Sequence, residues 1–214
     1  MNRKINGKIS PLTIERLTIY LRFLKRLKSQ NIDNIFSHEL ADKIGISVYN
    51  IRKDISQFGQ FGKINSGYNV NELIDTLSDI LGVDKNQDVV IVGAGNVGRA
   101  LMGYNGFLDY GFNIKAVFDS DENKINRVIS GIRCYAIGEI EKVVKENNIK
   151  LGIICVPAYA AQNAADTLVQ AGIVGVLNFA SVILKLPEHV KLIEVNFISK
   201  LETLSYYAKS INKE

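Results

Sequence analysis

One segment of this 214-residue chain restricts its fold more than any other: Asp88–Ala100, reading DVVIVGAGNVGRA. Val89, Val90, Ile91 and Val92 form a short β-branched apolar run, the pattern of a strand buried on both faces. The run passes directly into Gly93-Ala94-Gly95-Asn96-Val97-Gly98, a complete G-x-G-x-x-G, and then into a helical pattern. Each glycine has a task in that geometry. Gly93 permits the tight turn off the strand, Gly95 lets the backbone approach a pyrophosphate, and Gly98 lets helix pack on strand. The helix N-terminus then turns N–H groups and a positive dipole end toward the phosphates.

Three glycines alone are a weak signal, so their surroundings carry the weight. A second strand, Ile114 to Phe118, ends at Asp119, and its place about twenty residues beyond the glycines suits a carboxylate accepting hydrogen bonds from an adenosine ribose. An acid there repels a 2′-phosphate, and no Arg follows within the next few residues. The pattern therefore favours NAD(H) over NADP(H) in a parallel, Rossmann-type α/β domain.

Charge divides the chain in two. Residues 1–70 hold 12 Lys and Arg against 5 Asp and Glu, a net of +7, and the remainder holds 14 against 17, a net of −3. A basic first part joined to a mildly acidic remainder predicts two domains, the first suited to a polyanion. The boundary is expected near residue 84, giving domains 1–84 and 85–197 and a final segment 198–214.

Within the basic part, Ser10-Pro11 is a good helix start, and Leu12, Leu17, Tyr20, Leu21, Leu24 and Leu27 follow at helical spacing. Arg16, Arg22, Lys25, Arg26 and Lys28 occupy the other faces. Ser37 can cap a short helix ending at Gly45, and Ser47 a second one, VYNIRKDISQF. Two short helices joined through a Gly-containing turn predict a helix-turn-helix. Ile44, Ile51 and Ile55 would face the core, which leaves Ser47, Tyr49, Arg52, Lys53 and Gln57 for base edges and phosphates. Phe58–Lys63 and Gly67–Val70 read as a β-hairpin. Helix, helix-turn-helix and hairpin is the order of a winged helix, with Lys63 near the tip. Asn71 is expected to cap an amphipathic helix ended by Gly82.

In the second part, residues 120–136 read as a loop or short helix and Ile140 to Asn147 as a helix. Leu151 to Val156 reads as a strand with Pro157 opening the loop where such sheets bind ligands. A helix is expected at Asn163 to Ala171 and strands at Val174 to Phe179 and Val190 to Val195. The last segment places Leu201, Leu204, Tyr207, Ala208 and Ile211 at helical spacing and needs a surface to bury against, on a partner subunit or on its own chain.

Other classes are excluded by what the chain lacks. No apolar run approaches the ~20 residues that span a bilayer, and MNRKINGKIS is basic without the apolar core of a signal peptide. A cytoplasmic protein is expected, without membrane contact. Cys134 and Cys155 make no C-x-x-C and no disulfide framework. His38 and His189 stand far apart with no acidic or cysteine cluster, so no metal is expected.

The sequence resembles the Rex family of redox-sensing transcriptional repressors over nearly its whole length. The stretches that carry the likeness are IYLRFLKRL (19–27), IRKDISQFGQFG (51–62), SGY (66–68), VGAGNVGRAL (92–101), YNGF (104–107), VFDSD (117–121), Val156-Pro157 and AGIVGVLNFA (171–180). The R-K-D segment with its glycine-rich neighbour is the specific part. The resemblance implies a homodimer that binds a palindromic, A·T-rich operator in double-stranded DNA, with one NAD⁺ or NADH in each Rossmann domain. NADH would release the DNA, and the C-terminal helix would swap onto the partner. Gly93, Ala94, Gly95, Asn96, Val97 and Gly98 would hold pyrophosphate and Asp119 the adenosine ribose. Tyr104, Val156, Pro157, Asn178 and Phe179 would lie toward the nicotinamide, and Arg52 and Lys53 on the recognition helix.

One position departs from the family. Members usually carry an Asp before the C-terminal helix, thought to pair alternately with an Arg of the first helix and the Tyr near nicotinamide. The matching residues are Arg22, Tyr104 and Asn196, and an Asn brings hydrogen bonds without charge. Two competing functions are an NAD-dependent dehydrogenase, for which too little chain remains to build a substrate domain, and a DNA-binding regulator that senses a CoA compound. Residues 93–180 also resemble CoA-binding Rossmann domains, against which Asp119 favours a free ribose diol.

Overall fold

The computed structural model describes residues 9–61 and 67–211. The chain forms two compact units, Met1–Lys85 and Asn86–Glu214.

In the first unit α1 (Pro11–Ser29) starts at Ser10, whose hydroxyl accepts from the Thr13 N–H. It is followed by β1 (Asn34–Ile35), α2 (Ser37–Ile44), α3 (Val48–Ser56), β2 (Tyr68–Asn69) and α4 (Val70–Leu81). Leu17, Tyr20, Leu24, Leu40, Ile51, Leu73 and Leu77 make a single core with almost no exposure. Leu12, expected in the apolar stripe of α1, is exposed, and Thr13 turns inward in its place. Gly45 ends α2 in the left-handed conformation, and the Ser47 hydroxyl caps α3 through the Asn50 N–H.

Three local expectations are corrected here. Phe58 to Phe61 form no strand, and β2 pairs antiparallel with β1, Asn34 opposite Asn69 and Ile35 opposite Tyr68. The reason is packing: Phe58 and Phe61 are drawn into the helical core, so the returning segment finds its ladder on β1. Lys63 lies outside the described residues. Asn69, rather than Asn71, caps α4, its side-chain oxygen accepting from the Glu72 N–H. Ser37 is the first residue of α2 instead of its cap, and its hydroxyl serves another purpose described below.

The second unit runs β3 (Gln87–Val92), α5 (Asn96–Met102), α6 (Gly106–Asp109), β4 (Phe112–Asp119), β5 (Val128–Ile129), β6 (Ile132–Ala136), α7 (Ile140–Glu146), β7 (Leu151–Ile154), α8 (Ala158–Ala171), β8 (Gly175–Asn178), β9 (Lys191–Glu194) and α9 (Phe197–Ile211). Its sheet has the order β5-β6-β4-β3-β7-β8-β9, parallel throughout except for the β5–β6 pair. The apolar run of β3 is buried on both sides because its side chains alternate. Val90 and Val92 pack with Phe118, Ile140, Ile154 and Leu168, whereas Val89 and Ile91 pack with Met102, Val117 and Ile153. Among the described residues no helix is long and apolar enough to cross a membrane.

Two further expectations change. Residues 120–136 hold a hairpin, because Ser130 and Gly131 both take positive φ, 50° and 82°, as a two-residue turn between β5 and β6 requires. Helix α8 starts directly after Pro157, five residues earlier than its apolar spacing indicated. Ala158, Ala160 and Ala161 are good helix formers that carry little hydrophobic pattern.

Candidate nucleotide cradle and nucleic-acid interface

Chain order reverses at β3. The next strand, β4, lies on one side of it and β7 on the other, which opens a crevice at their carboxyl ends. Gly93 leaves β3 there with φ 105°, and its N–H donates to the Phe118 carbonyl. A Cβ on Gly93 would stand 2.6 Å from the Cys155 carbonyl oxygen and 3.0 Å from Val156 Cγ1. The glycine thus brings Cys155 and Val156 against the turn. A Cβ on Gly98 would fall 2.0 Å from the Gly93 carbonyl, so α5 closes on the strand only without a side chain there. Gly95 differs, since no atom beyond its immediate chain neighbours lies within 4 Å of the position its Cβ would take. That open space lies beside exposed Gly95, Asn96 and Val97, and a side chain at Gly95 would project into it.

Asp119 ends β4 and is largely buried. Its Oδ2 accepts from the Ala94 N–H at 2.7 Å and the Lys124 ammonium at 3.2 Å, and its Oδ1 accepts from the Asp121 N–H at 2.9 Å. Burial works against the charge, but the donors of Asp121, Ala94 and Lys124 outweigh it and hold the carboxyl below the usual carboxylate range. Asp119 is therefore an ionised acceptor tied to the glycine turn. Lys124 went unnoticed in the sequence because it follows the acid by five residues, folded back by a turn whose Lys124 N–H donates to the Asp121 carbonyl. Arg99 was also missed; its Nε donates to the Ala94 carbonyl at 3.3 Å.

The residues expected toward the nicotinamide are placed unevenly. Val156 sits against Gly93, and Pro157 stands directly before α8. Tyr104 is 57% exposed and packs edge-on against Phe107, over Gly106, where a Cβ would strike its ring. Asn178 is 1% exposed, and its side-chain hydrogen bonds, with Ala180 N–H and the Ala180 and Val182 carbonyls, shape the next loop. Phe179 faces Phe197 of α9. Phe107, beside Tyr104, lines a groove across the sheet face with Ile114, Ile153 and Ile193. Asn196 caps α9, its Oδ1 accepting from the Ser199 N–H. Arg22 is exposed on α1. Cys155 is held as a thiol, its pKa pushed up to about 12 by burial. Among the described residues no cluster of His, Cys, Asp or Glu could hold a metal ion.

In the first unit, Tyr49, Arg52 and Lys53 share one exposed side of α3 with Ser56, which the sequence reading had passed over. The Lys53 ammonium lies 5.9 Å from the centre of the Tyr49 ring, and Arg52 Nε donates to Ser37 Oγ of α2 at 3.0 Å. Ser47 and Gln57 serve the two ends of α3, Gln57 through its bond to the Lys53 carbonyl. On the opposite side Asp54 is 1% exposed. It accepts from Arg16 Nε and Nη2 at 2.6 and 2.8 Å and from the Tyr20 hydroxyl at 2.9 Å. Burial again opposes its charge, and the bonds from Arg16, Tyr20 and Thr13 prevail to hold its pKa low. This cluster fastens α3 to α1 and turns Arg52 and Lys53 outward.

A DNA-reading helical unit joined to a Rossmann unit with a dinucleotide-type cradle defines a ligand-responsive class of transcription regulator. Residues 8–56 match the family described as putative DNA-binding protein N-terminus, and residues 84–182 match the family described as CoA binding domain. The chain is 45% identical to the redox-sensing transcriptional repressor Rex of Desulforamulus reducens, over 93% of this chain and 95% of that one. It is 43% identical to Rex of Carboxydothermus hydrogenoformans, over 93% and 96%. Among solved structures it is similar to RSP, a Rex-family repressor, in complex with β-NAD⁺ and operator DNA, with TM-score 0.90 and 37% identity over 97% and 95% of the two chains. RSP with β-NADH gives TM-score 0.85 and 36% identity over 97% of each chain. This chain belongs to the Rex family of redox-sensing transcriptional repressors.

Proposed function

We propose that this chain is a cytoplasmic homodimer that binds a two-fold operator through α3 and is released when NADH occupies the Gly93–Gly98 cradle. The observation that carries the proposal is the presence, in one chain, of an exposed Tyr49-Arg52-Lys53 face and an ionised Asp119 bonded to the glycine turn. Arg and Lys on the outer side of α3 suit bases and phosphates of the major groove. Asp119 accepts from the adenosine ribose, the space beside Gly95 takes the pyrophosphate, and Val156-Pro157 borders the nicotinamide.

Preference for the reduced ring has a physical basis in this chain. NADH and NAD⁺ differ by a hydride and one positive charge. Val156 packs against the apolar cluster that holds Val92 and Ile154, so an apolar wall borders the place of the ring. A cationic ring loses hydration at such a place, and a neutral ring loses far less. NADH displaces DNA only to the extent that it binds the DNA-free form better, with each tenfold loss of operator affinity requiring about 1.4 kcal/mol of difference. Helix α9 supports the dimer: Phe197, Leu201, Leu204 and Tyr207 expose about 60% of their surface along one side, a stripe that a partner subunit would cover.

A labelled palindromic duplex titrated with the protein at fixed salt, with NADH, NAD⁺, CoA or no ligand, tests the reading by fluorescence polarisation. Release by NADH and not by an equal amount of NAD⁺ is the expected result. Release by CoA alone would favour the ligand that the matched domain description suggests, and equal release by both nicotinamide forms would end the redox reading.

A further inference from the structure

Lys124 closes the ribose side of the nucleotide cradle, and its hydrogen-bond capacity can be counted. Its ammonium is 3.2 Å from Asp119 Oδ2 and 3.4 Å from Asp121 Oδ2, with the lysine side chain only 24% exposed. An ammonium has three N–H donors, so one remains beyond these two partners. Asp119 offers about four acceptor positions as a carboxylate, and three are taken by Ala94, Asp121 and Lys124. One acceptor and one donor therefore remain side by side at the end of β4, the set that a vicinal diol requires. Charge points the same way. Two carboxylates and one ammonium leave a net of −1, which opposes a 2′-phosphate although a cation is present.

We propose that Lys124 is a specificity-determining residue of the nucleotide site: it donates to the adenosine ribose diol that Asp119 accepts from, while Asp119 and Asp121 keep its charge from serving a 2′-phosphate. This inference rests on the proposed NAD(H) binding. It assigns the lysine two effects, direct help for NADH and a latent help for NADPH that the two carboxylates mask.

The test is the affinity of the full chain for NADH and for NADPH, followed by nucleotide fluorescence in the wild type, Asp119→Asn, Lys124→Gln and the double variant. Asp119→Asn brings the local charge to zero and shifts the NADPH-to-NADH affinity ratio upward by about tenfold, the scale of one unit charge near a partly exposed phosphate. Adding Lys124→Gln restores −1 and abolishes the gain. Lys124→Gln alone, at a partly exposed residue, weakens NADH by about threefold through the lost diol bond and weakens NADPH further. A gain for NADPH that survives in the double variant, or a Lys124→Gln variant with both affinities unchanged, overturns the role of Lys124. Circular dichroism checks the fold of Asp119→Asn; if that variant unfolds, the Lys124→Gln ratio decides. Failure of the wild type to bind NADH at all would instead defeat the nucleotide reading itself.

Discussion

Asp54 and Asp119 are both nearly buried, both ionised and both held by three residues, yet they are built from opposite materials. Asp54 is secured by side chains 34 to 41 positions away, from Thr13, Arg16 and Tyr20 of α1. Asp119 is secured by two backbone N–H groups and a lysine five residues on. The first arrangement saturates the carboxylate with protein groups and fixes one helix on another. The second leaves acceptor capacity at the mouth of a crevice. A buried acid fastened by distant side chains is a joint, and one fastened by the backbone of a glycine turn can still receive a ligand.

The comparison breaks first at the joint. Asp54→Ala leaves Arg16 and Tyr20 without their partner and is expected to destabilise the first unit by about 3–5 kcal/mol, as loss of one member of a buried pair does; denaturant unfolding measures it. Both carboxyls have folded pKa values below their unfolded ones. Their stabilisation is complete above about pH 4, the unfolded value, and is lost as pH falls through the folded values. Unfolding free energy should therefore be level from neutrality down to about pH 5 and then decline, less steeply in Asp54→Ala.

The glycines sharpen the other half of the comparison. Gly98→Ala places a Cβ 2.0 Å from the Gly93 carbonyl and should cost about 1–3 kcal/mol as overpacking, with NADH affinity lost alongside. Gly95→Ala enters open space at an ordinary φ of −77°, so its stability should stay within about 0.5 kcal/mol of wild type while NADH binding is lost. Calorimetric melting and nucleotide titration of the same two samples separate them. Equal melting temperatures for the two variants would remove the distinction between packing glycine and ligand glycine. A smaller effect belongs to Asn196→Ala, which removes the cap of α9 at a cost of about 1 kcal/mol, read as faster amide exchange at the start of that helix.

Much of the second unit was legible because its signals are local. The β3 run, the glycine turn and Asp119 lie within about thirty residues of one another, the span of one βαβ unit. The Ser130-Gly131 turn also carried its signal locally and was misread, since short edge strands have little pattern of their own. In the first unit helix caps and apolar spacing placed α1 to α3 closely. Arg16 read as one more solvated cation among Arg22, Lys25, Arg26 and Lys28, because nothing in linear spacing links it to Asp54.

From sequence alone came most of the helices and the parallel strands, the glycine cradle, the acid at the end of β4 and the basic outer side of α3. These follow from backbone geometry and side-chain periodicity, which act within a few residues. Only the tertiary structure decided that β2 pairs with β1, that Asn178 is spent on its own loop, that Lys124 folds back onto Asp119, and that Arg16 belongs to Asp54. The first and last depend on distant segments meeting in space, and the other two on turns that leave no periodic pattern. In the polar cases burial rewards a hydrogen-bonded group and penalises an unpaired one.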